Sequence, residues 1–199
     1  MWAAQYTNFE NNRTFVSSGG LGTMGYGLGA SLGAQVAMPD KQVINIAGDG
    51  SFHMMHGEII TALMERKKIN VCLFDNASYG CINNLQVGHG NKTLCTELRY
   101  RNKEGYFGDF LNIDYAKVAE GYGCKAYSIR TMDELKAAFE DAKKVKNVPV
   151  VFDIKVLPKT MTDGYDSWWR VGDTEVSERQ ENLDAYASHL EHVKDARKY

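Results

Sequence analysis

The sequence predicts an α/β fold, a doubly wound parallel sheet with helices on both faces and a helical tail at its C-terminal end. Short apolar runs alternate with longer amphipathic runs, which is the pattern of parallel strands joined by crossover helices. The clearest unit is a strand over residues 42–47, a helix over 51–66 and a strand over 70–74. The chain of 199 residues has room for one such domain, predicted over 1–156, and a tail over 157–199.

The segment before this unit is less regular. Residues 1–13 show no sustained period and are predicted as an approach segment, and residues 14–17 as a short strand. The glycine-rich residues 18–27 are predicted as a loop that opens a helix towards Met38. A dinucleotide site is the weaker alternative for this loop, because the strand–turn–helix fingerprint is incomplete and no acidic residue follows at the required distance.

The segment after the second strand changes character and then returns to regular structure. Residues 77–113 are polar and weakly periodic, and a stretch of this length is typically functional or disordered. The elements predicted beyond it are a helix capped by Asp114, a strand over 125–129, a helix to about residue 144 opened by the capping box of Thr131 and Glu134, a buried strand over 148–154, and a charged helix over about 175–198. Trp168 and Trp169 in the tail are expected at a subunit contact.

Composition excludes several classes of function. A formal net charge of -2 without a basic cluster argues against nucleic-acid binding, and the sequence contains no apolar run long enough for a membrane span. The N-terminal residues lack the pattern of a signal peptide. The four cysteines show neither a Cys-x-x-Cys pair nor the spacing of a secreted scaffold, so we expect reduced thiols and a cytoplasmic protein.

A polar turn follows each of the two strands of the central unit. Gly48, Asp49, Gly50 and Ser51 separate the first strand from its helix, and Asp75-Asn76 ends the second strand. A helix start offers unpaired N–H groups to an anion such as a phosphate, and Ser51 can act as the cap. Asp49 can face a phosphate only through a cation, and Mg²⁺ takes oxygen from carboxylates and phosphates. In a parallel sheet both strands end at one edge, which predicts an anion site beside a metal ligand.

Two histidines on the helix over residues 51–66 are an alternative metal site. His53 and His56 lie three residues apart, but no third nitrogen or sulfur ligand follows in motif spacing. We therefore predict that they are surface groups or neighbours of the site rather than ligands.

The combination of strand, Gly-Asp-Gly-Ser, helix, strand and asparagine resembles the diphosphate-binding motif of thiamine diphosphate (ThDP) enzymes. The chain departs from that motif by carrying Asp75 where a second asparagine often stands. The resemblance implies ThDP and Mg²⁺ as cofactors, with the ion held by Asp49, Asn76 and the carbonyl of Ser78. It assigns further cofactor contacts to Gly48, Gly50, Ser51, Tyr79 and Gly80.

The glycine-rich loop is similar to that of acetohydroxyacid synthases, which are ThDP-dependent carboligases. The resemblance implies that the carbonyl of Gly22 meets the aminopyrimidine and that Met24 wedges under the cofactor. Without the loop around it, Met24 would read as ordinary packing at a helix start.

Most of the last 150 residues resemble the hydrolase family that opens 3D-trihydroxycyclohexane-1,2-dione in inositol catabolism. The segments that carry this resemblance are 69–76, 79–86, 99–102, 153–162 and 167–172. The resemblance implies cleavage of a C–C bond in a small cyclic dione. A synthase-type carboligase fragment and a non-catalytic α/β interaction module remain the alternatives.

The same resemblance places the activating glutamate on a separate pyrimidine-binding domain. We find no such domain in this sequence, so no catalytic residue is assigned to it. The expected partners are a pyrimidine-binding domain or subunit and further copies in a homo-oligomer. We expect the chain alone to bind ThDP weakly and to be catalytically silent.

Overall fold

The computed structural model describes residues 2–159, 172 and 176–196 of the chain. They form two compact units, one of Met1–Asn76 with Asn112–Val156 and one of Ala77–Leu111 with Leu157–Tyr199. Residues 77–111, predicted within the first domain, therefore group with the tail, while the domain boundary at residue 156 stays a prediction. Trp168 and Trp169 lie outside the described residues.

The regular elements alternate as the sequence predicts. The helices are α1 (Trp2–Tyr6), α2 (Tyr26–Ala37), α3 (Asp49–Met55), α4 (Ile59–Met64), α5 (Gly80–Gly88), α6 (Tyr115–Tyr122), α7 (Met132–Ala142) and α8 (Gln180–Asp195), and a 3-10 turn over His56–Glu58 joins α3 to α4. The strands are β1 (Ile44–Gly48), β2 (Asn70–Asp75), β3 (Lys125–Ile129) and β4 (Val150–Lys155).

The strands among the described residues form one parallel sheet in the order β1-β2-β4-β3. One face packs a core from α2, α3, α4 and α6 against Val71, Leu73 and Val151. The opposite face packs α7 against Ile129 of the edge strand β3 and against Cys72, Val150 and Phe152 of the central strands. Helices therefore cover both faces, and the predicted α/β class is confirmed.

Three local predictions differ from the structure. Residues 14–17 are not a strand; Phe15 and Val16 are 42% and 63% exposed, and no strand among the described residues pairs with this segment. The approach segment contains the short helix α1. The single helix over 51–66 is two helices, because Met55 leaves helical geometry at φ −140° and the turn that follows contains Gly57, a weak helix former.

The caps predicted at Asp114 and Thr131 are present, whereas the cap predicted at Ser51 is wrong, because α3 begins at Asp49 with Gly48 as its N-cap and Ser51 lies inside the first turn. Asp114 accepts a hydrogen bond from Lys117 N at 3.0 Å, which begins α6. The hydroxyl of Thr131 accepts from Glu134 N, and the Glu134 carboxylate accepts from Thr131 N at 3.1 Å, which completes the capping box of α7. These contacts lie within a few residues of each other, which is why sequence spacing predicts them.

Helix α2 lies close against the first strand. Asn45 of β1 is buried and donates to the hydroxyl of Ser31 at 3.2 Å. A Cβ at Gly27 would stand 2.6 Å from the Asn45 amide nitrogen, so a larger residue there would displace the Asn45 side chain. The contact sets where α2, and therefore the glycine-rich loop before it, lies along β1.

The second unit contains α5, the loop after it and α8. The Glu97 carboxylate is buried there and pairs with Arg99 at 2.6 Å and with Lys159 at 3.1 Å. Asn182 of α8 donates to the carbonyl of His89 at 2.7 Å. In the part of the chain that the structure describes, no helix combines the length and apolar character needed to cross a bilayer.

Candidate functional site

The turn after β1 brings a buried carboxylate to the start of a helix. Gly48 is extended at φ −82° and ψ 162°, and Asp49 is the first residue of α3 with 1% of its surface exposed. Gly50 is also buried, and its N–H donates to Asp49 Oδ1 at 3.0 Å. Ser51 follows in the first turn and is half-buried. The carboxylate is thus held by its own helix start.

The second predicted ligand follows the neighbouring strand. Gly48 pairs in register with Phe74, so Asp49 and Asn76 leave two adjacent strands at the same edge of the sheet. Adjacent strands lie about 4.8 Å apart, a spacing that one ion can bridge with a carboxylate and an amide oxygen. The chain turns sharply after Asn76, because Ala77 adopts a positive φ of 53°.

Ser78, Tyr79 and Gly80 belong to the second unit. Ser78 is buried and forms a β-bridge with Glu97. The N–H of Tyr79 donates to the carbonyl of Thr96 at 2.8 Å, and Gly80 begins α5. The backbone of Ser78 and Tyr79 is therefore tied to the loop after α5, and the part of all three residues in the cofactor site stays a prediction.

The glycine-rich loop of the first unit precedes α2. Gly22 has a left-handed φ of 70° and donates its N–H to the carbonyl of Ser18 at 2.7 Å. Met24 is half-buried. Gly25 has φ 85°, and a Cβ there would lie 2.6 Å from the Met55 side chain, so the loop passes directly over the end of α3.

A charged group beside Asn76 was not predicted from the sequence. The Nζ of Lys155 donates to Asp75 Oδ2 at 2.5 Å, to Asp153 Oδ2 at 2.8 Å and to the carbonyl of Ile113 at 2.8 Å. Asp153 also accepts from Ala116 N at 3.4 Å. Asp153 and Lys155 alternate on one strand and so share a face, a pattern visible in the sequence, but their pairing with Asp75 depends on the order of the strands.

The two histidines lie beside this group. The Nε2 of His53 is 2.6 Å from the Tyr115 hydroxyl, and the Nδ1 of His56 is 2.9 Å from the Tyr122 hydroxyl. Each histidine thus pairs with a tyrosine of α6 and pins α3 or the turn after it to that helix. Among the described residues, no three His, Cys, Asp or Glu side chains gather as a metal site.

Comparison with known proteins identifies the family. The family model "Thiamine pyrophosphate enzyme, C-terminal TPP binding domain" matches residues 1–154. The chain belongs to this family. The resemblance to ThDP enzymes, inferred from the Gly-Asp-Gly-Ser motif and the asparagine after the next strand, is thereby confirmed.

Three curated relatives similar to this ThDP-enzyme domain are named 3D-(3,5/4)-trihydroxycyclohexane-1,2-dione hydrolase. The protein from Clostridium botulinum is 53% identical over 182 residues, which are 90% of this chain and 28% of the relative. The one from Bacillus subtilis is 52% identical over 90% of this chain and 27% of the relative. The one from Geobacillus thermodenitrificans is 49% identical over 100% of this chain and 30% of the relative. The chain therefore spans less than a third of these relatives.

A solved structure shares the fold. The thiamine diphosphate-dependent 4-hydroxybenzoylformate decarboxylase of Rhodococcus jostii superposes with a TM-score of 0.55 at 26% identity, covering 68% of this chain and 23% of that one. It agrees with a parallel sheet flanked by helices as the framework of a ThDP-binding domain.

The residues at the sheet edge fit the cofactor that the family uses. The diphosphate of ThDP is an anion that requires a hard cation, and Mg²⁺ is typically held by one or two carboxylates together with phosphate oxygens. The buried carboxylate of Asp49 and the half-buried amide of Asn76, on adjacent strand ends, are oxygen ligands of that kind. Because phosphate oxygens complete its coordination, a Mg²⁺ ion bound to ThDP does not require a cluster of three or more acidic or nitrogen ligands from the protein.

Electrostatics around the site favour the charged form of Lys155 and the neutral form of His53. Burial opposes the charge of Lys155, but hydrogen bonds to Asp153 and Asp75 prevail and raise its pKa above the ordinary value. Burial raises the pKa of the Asp153 carboxyl, although Lys155 opposes that rise. Burial, helped by the charge of His56 and opposed by Asp75, lowers the pKa of His53.

The lowered pKa of His53 predicts a pH dependence of stability. Below the ordinary histidine pKa of about 6.5, His53 binds a proton in the unfolded chain more readily than in the folded one. The contribution of neutral His53 to the free energy of unfolding is therefore fully present above that pH, and it is lost as the pH falls through the folded pKa. His53→Gln is expected to reduce the loss of unfolding free energy between about pH 7.5 and about pH 5.5, measured by urea denaturation. An equal pH dependence in parent and variant would contradict this.

Proposed function

We propose that this chain binds the diphosphate–Mg²⁺ end of ThDP within an enzyme that hydrolyses a C–C bond of a cyclic 1,2-dione. The observation that carries the proposal is the identity of 49–53% to proteins named as trihydroxycyclohexanedione hydrolases. Asp49 and Asn76 at adjacent strand ends support the metal part of the assignment.

Each proposed contact follows from the chemistry of its group. Asp49 supplies a carboxylate oxygen to the ion, Asn76 an amide oxygen and Ser78 a backbone carbonyl. The remaining proposed contacts are Gly48, Gly50 and Ser51 to the diphosphate, Gly22 and Met24 to the rings of the cofactor, and Tyr79 and Gly80 to its thiazolium side. These residues bind and orient the cofactor; none is proposed to transfer a proton.

The bound cofactor supplies an electron sink for the cleaved bond, and the protein supplies position and charge. In this proposal the acid that activates the cofactor comes from a pyrimidine-binding domain or subunit. A homo-oligomer and a small-molecule substrate are part of the same proposal. The carboligase alternative loses support, because the Geobacillus hydrolase matches the entire chain, including its synthase-like N-terminal stretch.

Calorimetric titration of the 199-residue chain tests the binding step. We expect weak ThDP binding in the presence of Mg²⁺, none in EDTA, and none for thiamine, which lacks the diphosphate. The melting temperature is expected to rise only with ThDP and Mg²⁺ together. Equal binding in EDTA, or no binding of ThDP with Mg²⁺, would contradict the proposal.

A reconstitution assay tests the reaction. The chain is mixed with the remaining domains of a relative such as the Bacillus subtilis hydrolase, and turnover of the cyclic dione is compared with turnover of pyruvate. We expect dione hydrolysis in the mixture and no turnover by the chain alone. Preferential use of pyruvate would instead favour the carboligase.

A further inference from the structure

The C-terminal ends of β2 and β4 carry a charged group that includes Asp75, the residue directly before the proposed ligand Asn76. Asp75 and Lys155 pair in register on adjacent strands, and Asp153 lies two residues before Lys155 on the same face. The side chains are 9%, 19% and 0% exposed for Asp75, Lys155 and Asp153. Such burial of three charges is costly unless each is paired.

The ammonium of Lys155 satisfies this requirement and fixes the geometry. Its three N–H groups meet three acceptors, namely the two carboxylates and the carbonyl of Ile113. The N–H of Val156 donates to the carbonyl of Asp75 at 2.9 Å, the last backbone bond between these two strands. Beyond that point the chain enters the turn at Ala77. Lys155 and Val156 therefore hold the side chain and the backbone of Asp75, the residue directly before Asn76.

The same group reaches the helix that carries Asp49. The Nζ of Lys155 lies 5.3 Å from the centre of the Tyr115 ring, and the Tyr115 hydroxyl is 2.6 Å from His53 of α3. One lysine thus contacts the last residue of β2, directly before Asn76, and the tyrosine that is bonded to α3.

We propose that Lys155 is a positioning residue of the ion site, which acts by holding Asp75 and thereby the orientation of the Asn76 amide. The inference rests on the proposed Mg²⁺ site. By pairing the Asp75 carboxylate, Lys155 also keeps a competing oxygen ligand away from the ion, so that Asn76 occupies that coordination position. The lysine itself does not touch the ion.

The sign of the expected effect separates positioning from general electrostatics. Removing a positive charge near a cation site should tighten cation binding if only charge matters. Loss of a group that orients a metal ligand weakens metal binding by about 10- to 100-fold. Lys155→Met is therefore expected to raise the Kd for Mg²⁺, measured by calorimetry with ThDP present, by about 10- to 100-fold.

Lys155→Arg is the conservative control and is expected to have a Kd for Mg²⁺ near that of the parent. If Lys155 had only a structural role, Lys155→Met would lower the melting temperature without changing the Kd.

If Lys155→Met does not fold, the double variant Lys155→Met with Asp153→Asn replaces it, because it retains the parent's single net negative charge in this group. Unchanged or tighter Mg²⁺ binding without Lys155 would overturn the inference. Asp49→Asn distinguishes the two failures: if it too leaves binding unchanged, the ion site itself is wrong.

Discussion

Replacing Asp49 by asparagine is expected to weaken Mg²⁺-dependent ThDP binding by more than about 100-fold. Loss of a group that only orients a metal ligand costs up to about that factor, so removal of the proposed charged ligand should exceed it. The isostere retains an oxygen that can accept from Gly50 N, the bond seen at 3.0 Å, so the start of α3 should persist. Calorimetry at saturating Mg²⁺ measures the change, and circular dichroism confirms that the variant is folded.

Asp133→Asn is the matched control. Asp133 also lies in the first turn of a helix that follows a strand, but its side chain is 96% exposed and belongs to α7. We expect ThDP binding to be unchanged in this variant. Equal loss of binding in both variants would show that net charge, rather than a ligand at Asp49, governs the affinity.

Replacing Phe152 by alanine is expected to lower the free energy of unfolding by about 3–5 kcal/mol. Phe152 is fully buried in β4, stacked on Tyr127 at 5.4 Å between ring centroids and packed against Phe139 at 4.6 Å. Truncation removes apolar contacts and leaves a cavity between the sheet and α7. Urea denaturation with a linear extrapolation measures the loss.

Phe74→Ala is its matched control on the neighbouring strand. Phe74 points to the same face of the sheet but is 41% exposed. Because less apolar surface is removed from contact, the loss of unfolding free energy should be below half of that for Phe152→Ala. Equal losses would mean that Phe74 packs against a surface outside this chain or that Phe152 is less constrained than its burial indicates.

Local signals predicted most of the fold. The strands, the caps at Asp114 and Thr131 and the helix after Gly48 depend on residues close together in the chain, and the structure places them within a few residues of the predicted ends. The errors fell where local pattern misleads. Residues 14–17 have strand-like composition, but no strand among the described residues pairs with them. The helix predicted over 51–66 is interrupted at a turn that contains Gly57, and the spacing of apolar residues along the sequence does not reveal this break.

The candidate site divides in the same way. Asp49 and Asn76 could be predicted because each ends a strand, and parallel strands joined by one crossover end at the same edge. Ser78, Tyr79 and Gly80 were predicted by position after Asn76, but the backbone partners of Ser78 and Tyr79 lie in the loop after α5, which has no periodic signal.

The sequence by itself determined the class of fold, the family and the order along the chain of the residues proposed as oxygen ligands, because these depend on periodicity and on motifs of adjacent residues. Only the tertiary structure decided that β4 lies beside β2, since strand order is set by packing between distant segments. That order brings Lys155 to Asp75 across 80 residues of sequence and pairs the histidines of α3 and its following turn with the tyrosines of α6. The contacts that hold Asp75 beside the proposed ion site are therefore a result of that packing.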